Sequence, residues 1–296
     1  HQNTFWLGRG GTLTHAISGI DIALWDILGQ ATGLSIGRLM GGRYKDRVMP
    51  YCSLLMDEPA QMGDEIARWR EQGFRAFKIG WGPFGRQSAK VDRAIVAAAR
   101  EAVGPESRLM VDAGGSDAHW NNGYKWAINT ARMLADYDVQ WFEEALVPDA
   151  LEDYIKLREH SPVPISGGEV LTRRQAFQPW IERGAFDIVQ PDVTKVGGIS
   201  EERRIAWAAE EHGIRFIPHG WNTAVGLAAD LHLAAAIPGT DLVEYLTGSP
   251  FIDEITDDDW KLDQDGMLAI PSGPGLGLTL DTDMLRKHTR GEPLLD

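Results

Sequence analysis

From residue 47 onward, short apolar runs alternate with longer stretches of helical period. The runs cover 48–55, 75–79, 186–190, 214–218 and 242–246, and three more end at Asp112, at Glu143-Glu144 and at Glu169. They read as strands, with Pro50 confined to the entry of the first. Helices are predicted between them over 59–72, 89–103, 124 to about 137, 149–159, 173–183, 200–212 and 222–237. In 89–103, Val91, Ile95, Ala98 and Ala102 share one face and Gly104 caps the end. Ser200 reads as the N-cap of its helix. Ahead of the repeat, 12–40 is helical: Ile20, Ala23, Leu24, Ile27, Leu28 and Ala31 recur at helical spacing, and Gly33 ends that helix. After Pro250 the repeat stops, and 251–296 reads as an extended tail packing back onto the N-terminal helices.

Eight strands with seven helices between them predict an α/β fold with a parallel sheet. A doubly wound sheet shows the same alternation. Polar residues at nearly every strand end favour a parallel barrel, (β/α)7β by count, because barrel sites draw their groups from several strand ends.

Those strand ends carry the candidate chemistry. Asp112, Glu143 and Glu169 close consecutive strands, whose C-terminal ends gather on one face. Three carboxylates there form an oxygen cage suited to a hard cation such as Mg²⁺. Asp192 ends the sixth strand, His219 lies just beyond the seventh and Glu244 lies in the eighth. An Asp beside a His fixes the ring tautomer and favours its protonated form. His119, Trp120, Trp81, Trp221, Asn222 and Arg173 also fall near strand ends, but each reads first as packing or solvated loop. Lys195, in the TKVGG turn, reads as structural, and Gly197-Gly198 is too weak a pattern for nucleotide binding.

Composition narrows the partners. With 296 residues, 43% of them hydrophobic, the chain can fill a sizeable core. A net charge of −14 without a Lys/Arg block argues against nucleic acid and anionic membranes. No apolar run approaches the roughly 18–20 residues of a membrane span. Cys52 is the single cysteine, so no internal disulfide forms, and a reducing, cytoplasmic setting is expected.

Several motifs together resemble the enolase superfamily, mandelate-racemase subgroup. They are SGIDIALWD (18–26), VDA (111–113), WFEEA (141–145), GGE (167–169), QPDVTKVGG (190–198), PHGW (218–221) and SGPGLG (272–277). The resemblance implies a barrel topped by an α+β capping domain, one Mg²⁺, and removal of the proton α to a carboxylate. By motif, Asp112, Glu143 and Glu169 match the metal ligands, and Glu144 is their neighbour in the EE pair. Asp192 and His219 match the Asp–His dyad. Glu244 matches the acid that hydrogen-bonds the substrate carboxylate, as a donor if protonated. Lys78 matches the first lysine of a Lys-x-Lys motif. The domains implied are 1–46 for the helical part of the cap, 47–249 for the barrel and 250–296 for a segment packing back on the cap. A homo-oligomer is implied as well.

The sequence departs from the family pattern in three ways. Gly80 stands where the second lysine falls in an ungapped alignment, although a two-residue deletion upstream would make Lys78 that lysine. EEA replaces EEP at 143–145. The N-terminal strands of the cap are absent from this sequence, so an open pocket mouth is expected. The function expected is Mg²⁺-dependent dehydration of an acid sugar, a small-molecule carboxylate, to a 2-keto-3-deoxy acid. The alternatives are a racemase, epimerase or cycloisomerase using the same ene-diolate, or a non-catalytic sugar-acid binder.

Overall fold

The computed structural model describes residues 2–4, 6–258 and 260–291. Eight parallel strands follow the chain: β1 (Arg47–Leu55), β2 (Ala76–Gly80), β3 (Arg108–Asp112), β4 (Val139–Glu143), β5 (Ile165–Gly167), β6 (Ile188–Val189), β7 (Arg215–Phe216) and β8 (Leu242–Leu246). Their spatial order is β7-β6-β5-β4-β3-β2-β1-β8, with β8 on the far side of β1. The edges β7 and β8 share no ladder among the described residues. Thr240 Oγ1 donates to Phe216 O (3.3 Å) across that seam, and Arg215 pairs with Asp241 (2.7 Å). Helices connect successive strands, which gives the curled parallel sheet of a modified barrel. A ninth strand, β9 (Leu268–Ala269), pairs antiparallel with the start of β1. No strand precedes Arg47 among the described residues, and no helix is long and apolar enough to cross a membrane.

Residue spacing sets where the site forms. The barrel interior is filled by Tyr51, Ala76, Met110, Trp141, Ile188, Ile217 and Leu242. Side chains in a strand alternate faces, so residues two positions on point the same way. Those residues are Ser53, Lys78, Asp112, Glu143, Gln190, His219 and Glu244. On seven strands, then, an apolar layer is followed by a polar one toward the C-terminal end. Outside the sheet, a second apolar core packs strands against helices, including the almost wholly buried helix Ala224–Ala236.

The structure shifts several predicted boundaries. β5, β6 and β7 are shorter than expected, although single backbone bonds such as Ile217 N–H to Val189 O (3.2 Å) continue the pairing. In helix Ala89–Val103 the buried face is Asp92, Ile95, Val96, Ala99 and Val103, so Ala98 and Ala102 sit at its margin. Ser200 is not an N-cap. Helix Ile199–Glu211 is capped at Gly198, and the Ser200 N–H is satisfied from another helix, by Asp21 Oδ2 (2.9 Å).

That contact belongs to helix Thr12–Thr32, whose apolar stripe faces outward. Ile20, Leu24 and Ile27 are 62%, 59% and 61% exposed. Its inner face holds the barrel through polar groups. Ser18 Oγ accepts from Gly197 N–H (2.9 Å), Trp25 Nε1 donates to Ser200 Oγ (2.9 Å) and Asp26 Oδ1 accepts from Leu276 N–H (2.7 Å). The close approach at Asp21 requires a glycine at 198, where φ is +80° and a Cβ would lie 2.4 Å from Asp21 Oδ2. Gly198→Ala is therefore expected to destabilise the protein by roughly 2–4 kcal/mol, combining left-handed strain with a broken cap. Gly19, on the same helix and facing open space, provides the control. Gly19→Ala should be neutral or stabilising by up to about 1 kcal/mol. Urea melts of both variants make the comparison.

Candidate active site

The polar layer converges on one cavity of about 330 Å³, lined by Ser53, Lys78, Asp112, Glu169, Lys195, His219 and Glu244 among others. Asp112, Glu143 and Glu169 each offer a carboxylate oxygen within 4.8 Å of the others. Each is also held from behind. Asp112 Oδ1 accepts from Gly114 N–H (2.7 Å), and Glu143 Oε2 accepts from Trp141 Nε1 (2.8 Å) and Gln190 Nε2 (2.9 Å). Glu169 Oε2 lies 3.1 Å from His219 Nε2.

Like charge at this range is costly in a buried site. Burial, then Glu143, holds the Asp112 carboxyl well above its usual range. Glu144 is pushed the same way, by burial and then by Glu169 and Asp112. Its backbone is left-handed (φ +44°), and its Oε2 accepts from Ser116 Oγ (2.6 Å). Three hard oxygen donors within 4.8 Å of one another fit a divalent cation.

Lys78 is the buried counter-charge, with Nζ 2.7 Å from Glu143 Oε1 and 3.0 Å from Glu244 Oε1. Burial pulls its ammonium down, but Glu143 and Glu244 outweigh that and hold it well above the ordinary lysine value. Glu244 differs from expectation, because it is an ionised acceptor and not a protonated donor. It receives Tyr51 O–H (3.1 Å) and Gly220 N–H (2.8 Å). Burial raises its pKa, yet Lys78 and His219 bring it down to about 2.

Asp192 and His219 are adjacent across an isolated parallel bridge, with His219 Nδ1 2.7 Å from Asp192 Oδ2. The other Asp192 oxygen accepts from Thr194 N–H (2.7 Å) and Thr194 Oγ1 (2.5 Å). Burial disfavours the imidazolium, but Glu169, Glu244 and the Asp192 hydrogen bond prevail and raise His219 well above its usual value.

Of the residues first read as packing or loop, Trp81 and Trp221 line the cavity. Trp81 does so from a left-handed backbone (φ +61°). Trp120 packs on Trp126 (ring centroids 4.9 Å), His119 is exposed, and Asn222 and Arg173 stand outside the lining. Lys195 is in the lining, with Nζ 3.2 Å from Asp192 Oδ2. Its position three residues past a strand-end acid, on the gathering face, was the available signal. Gly80 has little room for a side chain, since a Cβ there would lie 2.9 Å from Asp112 Cβ.

Comparison with known proteins agrees with this geometry. Residues 61–284 match the family model described as enolase C-terminal domain-like. Residues 2–41 match that of the mandelate racemase / muconate lactonizing enzyme N-terminal domain. A D-galactarolactone cycloisomerase of Agrobacterium fabrum is 38% identical, over 96% of this chain and 76% of that protein. A D-xylonate dehydratase of Haloferax volcanii is 33% identical, over 97% and 72%. The crystal structure of the 3,6-anhydro-D-galactonate cycloisomerase from Zobellia galactanivorans superposes with a TM-score of 0.89 at 34% identity, covering 98% of this chain and 80% of that one.

Behind the dyad lie two acids that the sequence reading missed. Glu202 and Asp230 are fully buried; neither Glu202 oxygen has a hydrogen-bond partner among the described residues, and Asp230 has Asn222 beside it. Burial, then Asp230, raises Glu202; burial, then Asp192, raises Asp230. A carboxyl whose folded pKa exceeds its unfolded value adds no penalty below about pH 4 and loses stability as pH climbs from there toward the folded value. Glu202→Gln and Asp230→Asn should remove that loss. Their stability relative to the parent is expected to grow between pH 5 and pH 8, by up to about 1.4 kcal/mol per pH unit within the window. Urea midpoints that keep a constant offset across this range would show that neither acid is held neutral.

Proposed function

We propose, from the premise that this chain belongs to the enolase superfamily, in its mandelate racemase group, that it is an acid-sugar dehydratase. In this reading it removes the proton α to a carboxylate and expels the β-hydroxyl as water, leaving a 2-keto-3-deoxy acid. The observation that carries this is that Asp112 and Glu169, clustered with Glu143, line one cavity together with His219, which is paired with Asp192.

Members of the enolase superfamily use Mg²⁺. Asp112, Glu143 and Glu169 would hold it here, since they are hard oxygen donors gathered within 4.8 Å of one another. When bound, the cation stabilises negative charge developing on the substrate carboxylate.

The remaining roles fall to the protein's own groups. Lys78 stays charged and adds a fixed positive charge to the cavity floor. Glu244 is a positioning residue: it holds Gly220 N–H, next to His219, and anchors Lys78. Asp192 fixes the His219 tautomer, and Glu169, its charge drawn off by a held cation, would no longer keep Nε2 protonated, leaving Nε2 as the base for the α-proton. Racemisation needs a base on each face of the α-carbon. Gly80 offers none, and Lys78 is locked between two carboxylates, so one-base elimination is the chemistry that fits.

A cycloisomerase is the second reading, favoured by the names of the Agrobacterium relative and the Zobellia structure. It shares the first step and differs in the oxygen that leaves. A non-catalytic binder leaves both the dyad and the acid cluster without purpose.

The test is a panel of D-galactonate, D-xylonate, D-arabinonate, D-galactarolactone and 3,6-anhydro-D-galactonate with Mg²⁺, read by 2-keto acid formation and by NMR. At least one open-chain acid should give a keto acid, and His219→Asn should slow it by about 10²–10⁴-fold. In D₂O, α-exchange should be confined to one C2 epimer, whereas interconversion of epimers would reveal a second base. Independently of turnover, Mg²⁺ is expected to raise the thermal midpoint of the parent and not that of Glu169→Gln.

A further inference from the structure

We propose that Lys195 is the proton donor to the oxygen that leaves the substrate, working beside His219 on the same wall of the cavity. This assignment rests on the β-elimination proposed above. It separates two tasks that a lone histidine would otherwise perform in turn.

The placement carries it. Lys195 and His219 reach the same oxygen, Asp192 Oδ2, at 3.2 Å and 2.7 Å. Both side chains line the one cavity. A leaving oxygen on the β-carbon is a single carbon–carbon bond from the α-carbon that His219 deprotonates. In a syn elimination its proton donor stands on the same face as the base, where Lys195 is. Lys78 cannot serve, being 3% exposed and bound at 2.7 and 3.0 Å by two carboxylates. Lys195 is 27% exposed, and among the described residues Asp192 is the only carboxylate within 4 Å of it. An ammonium carries three N–H groups, so one contact to a shared oxygen leaves others to turn toward a ligand.

The backbone beneath Lys195 is fixed. Its N–H and that of Val196 both donate to Asp192 O, at 2.9 and 2.8 Å. Gly197 N–H is then tied to Ser18 on helix Thr12–Thr32. The ammonium thus stands on a rigid turn, and a partly exposed side chain on a fixed turn suits a residue that must meet a ligand.

The step balances. His219 Nε2 takes the α-proton, and the C–H electron pair becomes the new carbon–carbon double bond. The carbon–oxygen bond breaks with its electrons on oxygen. An Nζ–H proton of Lys195 joins that oxygen, and water leaves. The enol tautomerises to the 2-keto acid with no net change of protons. The imidazolium then returns a proton to the amine through solvent, restoring both groups.

Fluoride leaves without needing a proton, so it separates this role from others. The probes are whichever panel acid the native enzyme dehydrates and its 3-deoxy-3-fluoro analogue, tested with native enzyme, Lys195→Met and Lys195→Arg. Water elimination by Lys195→Met should fall by about 10²–10³-fold, while fluoride release and α-exchange in D₂O change less than about threefold. Retained exchange also shows that the variant is folded. Lys195→Arg keeps the charge but holds its proton far more tightly, and should remain slow in losing water. An equal loss of water and fluoride elimination, or full recovery with arginine, would overturn the assignment and leave the dehydratase reading intact. A native enzyme that neither exchanges nor eliminates with any panel acid would overturn both.

Discussion

Crowded negative charge at the mouth of the barrel is the constraint on which the site depends. Three carboxylates meet within 4.8 Å, and Glu144, Asp192 and Glu244 stand close behind them. At an effective dielectric near 20, two unit charges about 4 Å apart repel by roughly 4 kcal/mol. Folding cannot relieve this by letting the groups drift. Each is fixed by its strand register and by donors such as Trp141 and Gly114. Relief must come from positive charge. Lys78, His219 and Lys195 supply part of it, while burial and the neighbouring acids still hold Asp112 and Glu144 above the usual carboxylate range. Three hard oxygen donors gathered in this way could hold a metal ion.

Much of this layout is legible in the sequence because strand geometry is simple. Met110 and Asp112, Trp141 and Glu143, Leu242 and Glu244 each show an apolar residue followed two positions later by an acid. A two-residue step in a parallel strand is a step along one wall of the barrel, from core to mouth. The pattern marks both where the site forms and which residues face it. What it does not carry are contacts between distant segments. Glu244 is ionised because Lys78 lies 166 positions away in sequence yet 3.0 Å away in space. The cap of helix Ile199–Glu211 comes from Asp21, so local reading assigns it to the nearest serine. Glu202 resembles an ordinary helix-surface acid until burial is known, and Asp230 is one acid in an Ala/Leu-rich helix whose neighbours the sequence does not reveal.

Helix Thr12–Thr32 shows the same division. Its periodicity correctly marks a helix, but the apolar stripe does not point at the barrel. Hydrogen bonds from Ser18, Asp21, Trp25 and Asp26 do the holding. Such bonds are directional, so they fix the angle and register of the helix more tightly than apolar contact alone. Three of them end on Gly197 and Ser200, immediately after the turn that carries Asp192 and Lys195. The helix therefore braces the segment on which the dyad stands.

The same crowding also limits the chemistry. A second base on the β2 side would have to project from position 80, where even a Cβ falls 2.9 Å from Asp112 Cβ and 3.1 Å from Asp112 Oδ2. A lysine there would displace a carboxylate of the cluster or pair with it. Pairing would hold its ammonium protonated, as Glu143 and Glu244 hold Lys78. Glycine leaves Asp112 free for a cation and leaves that face of the cavity without a base. The opposite wall keeps both its histidine and its accessible lysine, on one shared carboxylate. An arrangement with every mobile proton on one side suits bond cleavage between adjacent carbons and disfavours inversion at one of them.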